Sequence, residues 1–283
     1  MKKIISVTLA SIFIFLYFGC YAHAFTFGVI GDTQKFHAGK KGNLQSAAKN
    51  LKGSGVSFSV MLGDTGCKDN KLKKWQNAAS QIFPNIYPVR GNHDLASSSA
   101  WRQVFNPPTN GPSGHTGWTY SFDYENSHFV VLDSRGHHAD AAQREWLETD
   151  LAVNTEDNTF VFFHEPAFPV GRKITSSLDA KPEERDALWE ILDRHNVTAV
   201  FSGHEHIFSR KLISSSVFPS AQHSIYQFIV GNTDSYSHSK PRRSTEYYYR
   251  EKSYLVVRVE ADRITTSLYS TKGKLLNTFS FQK

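Results

Sequence analysis

Short apolar runs alternate with amphipathic segments along this chain, and most of the apolar runs stop at a glycine or directly at polar residues. Compact apolar runs bounded by turn signals read as buried strands, whereas apolar residues at three- and four-residue spacing read as one face of a helix. On that basis residues 25–30 form a strand, 44–51 a helix, 57–62 a strand, 72–83 a helix and 86–90 a strand. Residues 118–124 and 129–132 alternate like paired strands, with Glu125-Asn126-Ser127-His128 as the turn. A helix over 139–151, a strand over 159–163, a helix over 183–195 and a strand over 197–201 follow. The remainder is β-rich, with strands over 207–213, 225–230, 254–259, 264–269 and 275–281. Residues 95–117 are rich in Ser, Pro and Gly and read as a long loop of functional or mobile character, although they carry Trp101 and Phe105. No linker, low-complexity tract or internal repeat interrupts the series, so the expected class is α/β in one domain.

Composition changes this picture mainly at the start of the chain. Lys2 and Lys3 precede an apolar stretch over 4–19, and Ala22-His23-Ala24 supplies a small-residue cleavage pattern. Residues 1–24 therefore read as a signal peptide and 25–283 as the working domain, which places the protein in the periplasm or outside the cell. An uncleaved anchor is the alternative, and Gly19-Cys20 leaves open a lipoprotein attachment through Cys20. No later apolar run is long enough for stable membrane insertion. Once Cys20 is removed, Cys67 is the single thiol, so no internal disulfide holds the fold. Net charge falls from +6 to +4 when Lys2 and Lys3 leave. That mild surplus is compatible with an anionic substrate and argues against a nucleic-acid binder, which would carry a basic stripe.

The strand ends carry the chemistry. Residues 27–30 lead to Gly31-Asp32-Thr33-Gln34, 60–62 to Gly63-Asp64, 88–90 to Gly91-Asn92-His93-Asp94 and 199–202 to Gly203-His204-Glu205-His206. A fifth strand ends directly in His164-Glu165-Pro166. Ligands of open α/β sheets bind at the carboxyl ends of strands, so these ends gather Asp32, Gln34, Asp64, Asn92, His93, His164, His204 and His206 along one edge. The preceding glycines allow a sharp exit and a close backbone approach.

Buried ionised groups without partners cost several kcal/mol each, and divalent metal ions are the obvious compensation. Asp, Asn and His together suit Mn, Fe or Zn, and the absence of thiolate argues against a structural zinc site. Asp32, Gln34, Asp64, Asn92, His164, His204 and His206 are too many donors for one tetrahedral ion. They fit two ions sharing a carboxylate, the usual clamp for displacement at phosphorus. Asp32 and Asp64 are the only anionic donors among them, which leaves about two positive charges for an anion such as phosphate.

In this order and spacing the motifs resemble those of the calcineurin-like metallophosphoesterase superfamily: D-x-H, G-D, G-N-H-D/E, H and G-H-x-H. The stretches Phe105-Asn106-Pro107-Pro108, Asn110-Gly111-Pro112, Tyr120-Ser121-Phe122-Asp123-Tyr124 and His128-Phe129-Val130-Val131-Leu132-Asp133 look like its purple-acid-phosphatase-like branch. The resemblance implies a four-layer α/β/β/α sandwich with a dimetal site at the strand ends. It implies that Asp32, Gln34, Asp64 and His206 face one metal, that Asp64 bridges, and that Asn92, His164 and His204 complete the second. His93 matches the proton donor to the leaving group and Asp94 the carboxylate that orients it. The sequence departs from the family at Gln34, where His is common, and at Lys35, where purple phosphatases place Tyr.

The expected reaction is hydrolysis of a small phosphate ester by a metal-bridging hydroxide, with His93 as general acid. A phosphodiesterase or nuclease, and a non-catalytic metal- or phosphate-binding exported protein, are the alternatives. Arg90 and Arg135 read either as phosphate contacts or as surface charges, and His115, His137 and His138 either as the mouth of the site or as loop residues. Alternation points Glu165 and Glu205 away from the site. Residues 232–252 carry Arg242, Arg243, Tyr247, Tyr248, Tyr249 and Arg250, a mixture that reads as a base-stacking surface or a surface hairpin.

Overall fold

The computed structural model describes residues 24–34, 42–80, 85–136, 139–235 and 240–283. The signal-peptide reading, Lys35, His137, His138 and the expected end of the second helix at Phe83 lie outside them.

The chain runs β1 (Phe25–Ile30), α1 (Asn43–Gly53), β2 (Phe58–Met61), α2 (Asp69–Ser80), β3 (Ile86–Pro88), α3 (Ser98–Phe105), β4 (Tyr120–Tyr124), β5 (Ser127–Val131), α4 (Ala141–Val153) and β6 (Asn158–Phe162). Two short 3-10 turns, Ile174–Ser176 and Leu178–Ala180, lead into α5 (Pro182–Arg194). Then come β7 (Ala199–Ser202), β8 (Phe208–Ile213), β9 (Ile225–Val230), β10 (Tyr247–Tyr249), β11 (Ser253–Glu260), β12 (Arg263–Ser270) and β13 (Leu275–Gln282).

These strands form two sheets, ordered β13-β12-β11-β1-β2-β3 and β10-β8-β9-β7-β6-β5-β4. β1, β2 and β3 are parallel, as are β5, β6, β7 and β9, and the outer strands pair antiparallel. Alternation decides which sheet face each residue serves. Phe27, Phe58, Phe129, Phe160, Phe162 and Phe201 fill the space between the sheets, with the Phe27 and Phe58 rings stacked at 5.5 Å. On the other face of the first sheet, Ile30, Met61 and Val256 meet Leu44 and Leu51 of α1, Trp75 of α2 and Trp101 of α3. On the outer face of the second, Val130, Val161 and Val200 meet Leu147 of α4 and Trp189 of α5. The layering is α/β/β/α. Burial on both faces explains why the central strands read as unbroken apolar runs.

The structure departs from the sequence reading in three places. Inside the expected loop 95–117 lies α3, whose cap Ser97 accepts from Ala100 N and is itself held by Asp69. Eight residues give too few periods to register as a helix, and burial of Trp101 stabilises it instead. The β4–β5 turn is shorter than expected, because Ser127 and His128 already pair with Tyr124 and Asp123. Glu125, at φ +52°, makes the tight bend. Within 232–252, Tyr247–Tyr249 forms a three-residue edge strand against β8 rather than a hairpin of its own.

Candidate metal centre

All five expected strand ends arrive at one edge, delivered by β1, β2 and β3 of one sheet and β6 and β7 of the other. Carboxylate oxygens of Asp32 and Asp64 and a ring nitrogen of His164 lie within 4.8 Å of one another, all buried. Asn92 Oδ1 is 3.0 Å from His164 Nε2 and 3.0 Å from His204 Nδ1, and those two nitrogens are 3.2 Å apart. His164 Nδ1 donates to Leu62 O at 2.6 Å, which leaves the Nε2 lone pair facing this group.

The spacing is informative. Donors at right angles around an ion, each about 2.1 Å from it, lie about 3 Å from one another. The triangle of Asn92, His164 and His204 has that edge length, and Asp64 Oδ1 stands 3.4 Å from His164 Nε2 beside it. The second set is looser. Gln34 Nε2 lies 3.2 Å from His206 Nε2 and 3.4 Å from Asp64 Oδ2, and His206 Nε2 is 3.2 Å from Asp32 Oδ1. Asp32 Oδ1 and Gln34 Oε1 are buried without an aligned hydrogen-bond donor. Turning the Gln34 amide over would aim its carbonyl at the same point. Both sets therefore suit a cation.

Electrostatics agree. Burial raises the Asp32 carboxyl, opposed by His206 and His164. Burial alone would lower His164, but the charges of Asp64 and Asp32 and the bond to Leu62 push it up to about 9. Burial and the charges of His164 and Lys173 force His204 far down. The anions of this pocket attract positive charge, and the imidazoles are in unequal positions to supply it.

Glycines and ligands divide the backbone work. A Cβ on Gly91 would stand 2.3 Å from Asp64 Oδ1, and one on Gly203 2.7 Å from Asp32 Oδ2, so both positions exclude a side chain. The left-handed turns fall largely on the candidate ligands themselves: Asp32 at φ +53°, Asp64 at +57°, His204 at +68° and His206 at +49°. Such conformations cost about 1–3 kcal/mol each and persist where the surroundings over-determine them.

Two expected roles change or narrow. Asp94 does not orient the His93 ring: its oxygens accept from the amides of Asp64, Thr65 and Gly91 at 2.8–2.9 Å and from the Thr65 hydroxyl at 2.5 Å. It braces the backbone of Asp64, and burial together with the Asp64 charge pushes its carboxyl up to about 6. His93 is exposed at the mouth, with its backbone amide on Asp64 Oδ1 at 2.8 Å. Arg90 is committed elsewhere, to Asp133 at 3.1 Å and to the Trp118 ring face at 4.1 Å. His115 pairs with Asp140 at 3.1 Å.

A sixth strand end, unexpected from sequence, completes the floor. β9 exits into Gly231-Asn232-Thr233-Asp234, where Asp234 N donates to Asp32 O and the Thr233 hydroxyl accepts from Gly31 N at 3.2 Å. Its signal, an apolar run ending in glycine and polar residues, is the same as in the other strands, but it lacks a histidine.

The fold is a mixed α/β sandwich of two sheets with a buried Asp/Asp/His group at one edge that could hold a metal ion. The family model for calcineurin-like phosphoesterases matches residues 25–208, and the chain belongs to that family of phosphoric ester hydrolases. Among solved structures it is similar to the purple acid phosphatase PPD1 from yellow lupin seeds, with TM-score 0.74, 14% identity, and coverage of 92% of this chain and 54% of that one. PhoD gives TM-score 0.69 at 14% identity over 94% and 71% of the two chains. GAP50, the anchor in the inner membrane complex of Plasmodium, gives 0.67 at 17% identity over 92% and 89%. At these identities the likeness is one of fold. A curated relative, a probable cyclic nucleotide phosphodiesterase of Rhodococcus erythropolis (strain PR4 / NBRC 100887), is 26% identical over 133 residues, 45% of this chain and 42% of its own length. The chain thus spans under half of that relative and about half of the lupin protein.

Proposed function

We propose that this chain is an exported dinuclear-metal hydrolase of small phosphate esters. The observation that carries the reading is the triangle of Asn92, His164 and His204 donors beside the Asp32 and Asp64 carboxylates. Asp32, Gln34, Asp64 and His206 would hold one ion and Asp64, Asn92, His164 and His204 the other, with Mn, Fe or Zn suited to these donors. When bound, the two ions supply positive charge to the phosphoryl oxygens and acidify a water. The protein's own residues do the rest. Asp94 keeps the Asp64 backbone in its left-handed turn, and His164 is fixed by Leu62. The exposed His93 ring gives its proton to the departing alkoxide, as a water oxygen bonds to phosphorus and the ester P–O bond breaks.

Export follows from residues 1–24 alone. Among the described residues no helix is long and apolar enough to cross a membrane.

The test is elemental analysis of the purified chain together with turnover of 4-nitrophenyl phosphate under Mn, Fe or Zn. Two ions per chain and metal-dependent turnover are expected; one ion or none with no turnover rejects the reading. The name of the Rhodococcus relative favours a diesterase as the second reading, and bis(4-nitrophenyl) phosphate in parallel separates the two. Fractionation of the producing cell tests export, which fails if the chain stays in the cytoplasm with residues 1–24 attached.

A further inference from the structure

The two candidate donor sets differ in kind as well as in spacing. Asp64 spans them, with Oδ1 3.4 Å from His164 Nε2 and Oδ2 3.4 Å from Gln34 Nε2. The set around His164 offers Asp64 Oδ1, Asn92 Oδ1, His164 Nε2 and His204 Nδ1, oxygen and nitrogen in equal number. The set around His206 offers Asp32 Oδ1, Asp64 Oδ2, the Gln34 amide oxygen and a single nitrogen, His206 Nε2. Asp32 Oδ2 accepts from His204 N at 2.9 Å, which leaves Oδ1, 3.2 Å from His206 Nε2, to face the centre.

Gln34 is built into this second set. Thr33 N donates to Asp64 O at 2.9 Å and Trp75 Nε1 donates to Thr33 Oγ1 at 3.2 Å, so the turn after β1 is fixed on both sides of the chain. A Cβ on Gly66 would stand 2.7 Å from Gln34 Cβ, so the loop after Asp64 makes room for this side chain by being glycine. The Gln34 carbonyl oxygen is buried without a hydrogen-bond donor, and its amide nitrogen stands 3.2 Å from His206 Nε2. A half-turn of the amide puts the oxygen where the nitrogen lies, between Asp64 and His206.

Imidazole nitrogen suits zinc and iron, whereas carboxylate and carbonyl oxygen suit manganese and magnesium. An imidazole at position 34 would make the two sets alike, and the amide makes them unequal. We propose that the centre is heterometallic: the oxygen-rich set of Asp32, Gln34, Asp64 and His206 selects manganese, and the set of Asp64, Asn92, His164 and His204 selects zinc or iron. The proposal rests on the dinuclear-metal reading above and narrows it. Zinc binds more tightly than manganese to either set in absolute terms, so the inequality shows under competition.

The experiment strips the purified full chain of metal, loads it with zinc, and dialyses it against rising ratios of manganese to zinc. Metal content is read by elemental analysis and the manganese environment by EPR. Wild type should pass through a plateau of one zinc and one manganese per chain, with the hyperfine-split signal of an isolated Mn(II) ion. Gln34→His should retain two zinc ions across that plateau and give no such signal. Gln34→Ala should retain one zinc and lose the manganese. Zinc leaving both sets of the wild type together, with a spin-coupled manganese pair in its place, overturns the proposal. So does manganese retained in Gln34→Ala, which would make Gln34 a hydrogen-bond donor to Asp64 instead of a ligand. The wild-type plateau needs no variant, and it decides the matter even if both substituted chains fail to fold. A wild type that binds two ions without the plateau rejects this proposal alone, whereas one that binds neither metal rejects the dinuclear reading as well.

Discussion

Two ends of the sandwich bring imidazole among carboxylates, and they do so in opposite ways. At the amino end of β5, His128 Nδ1 lies 2.6 Å from Asp123 and Nε2 2.9 Å from Asp150, while the Ser121 hydroxyl donates to Asp150 at 2.8 Å. Every ring nitrogen has an anionic partner, and the cluster is complete in itself. At the carboxyl ends, Asn92 Oδ1, His164 Nε2 and His204 Nδ1 face one another within 3.2 Å, and Asp32 Oδ1 has no aligned donor. Residue types are similar in the two clusters. A deficit of hydrogen and positive charge, not the presence of His and Asp, is what marks a metal centre.

The comparison breaks first at Asp64. Asp64→Ala should lower kcat/KM by about 10³-fold, since charge clamp and activated water are lost together, and elemental analysis should find fewer than two ions. His93→Ala should lower kcat by about 10²-fold or more with both ions retained. Its effect should shrink for esters with acidic leaving groups, which depart without a proton. Chelation should reach only the carboxyl end. Each ion at about a hundred times its dissociation constant stabilises the fold by about 2.7 kcal/mol, so removal of both should lower the calorimetric Tm by several degrees or more.

The smallest effect belongs to the complete cluster. Burial alone would lower His128, but hydrogen bonds and charge from Asp150 and Asp123 raise it above its ordinary 6.5. A raised imidazole contributes stability that is fully present below pH 6.5 and is lost as pH rises through the higher folded value. His128→Gln should therefore cost about 1 kcal/mol in urea titrations at pH 5.5, little at pH 9, and leave metal content and turnover at wild-type levels. A loss that grows towards high pH would reverse the sign and break the contrast.

Much of the candidate metal centre was legible because each candidate ligand follows an apolar strand by one to four residues, and strand ends converge in any parallel α/β sheet. Other parts were hidden for separate reasons. The helix α3 is stabilised by a capping serine and one buried tryptophan, which leave a weak period. The β9 exit carries Asn232 and Thr233 without histidine, so it did not stand out as a member of the set. Asp94 looked like a partner of His93 because it is adjacent in sequence. Adjacent residues in a tight turn point in different directions, and its carboxylate meets the amides of Asp64 and Thr65 instead. Alternation correctly turned Glu205 outward, but nothing along the chain says that an outward carboxylate would find the amides of 170–173, which lie more than thirty residues away.

With the four layers implied by the resemblance, the sequence by itself determined the run of strands and helices, through apolar runs and helical spacing, and the list of side chains able to hold metal at one edge. Those are local properties of composition and period, readable without knowing what lies across the core. Tertiary structure alone decided which atoms meet: that His164 presents Nε2 because Leu62 takes Nδ1, that Asp32, Asp64, His204 and His206 themselves adopt left-handed turns, and that Asp94 and Glu205 anchor backbone. Those outcomes depend on contacts across two sheets, and a distance set by packing between remote segments leaves no period in the chain.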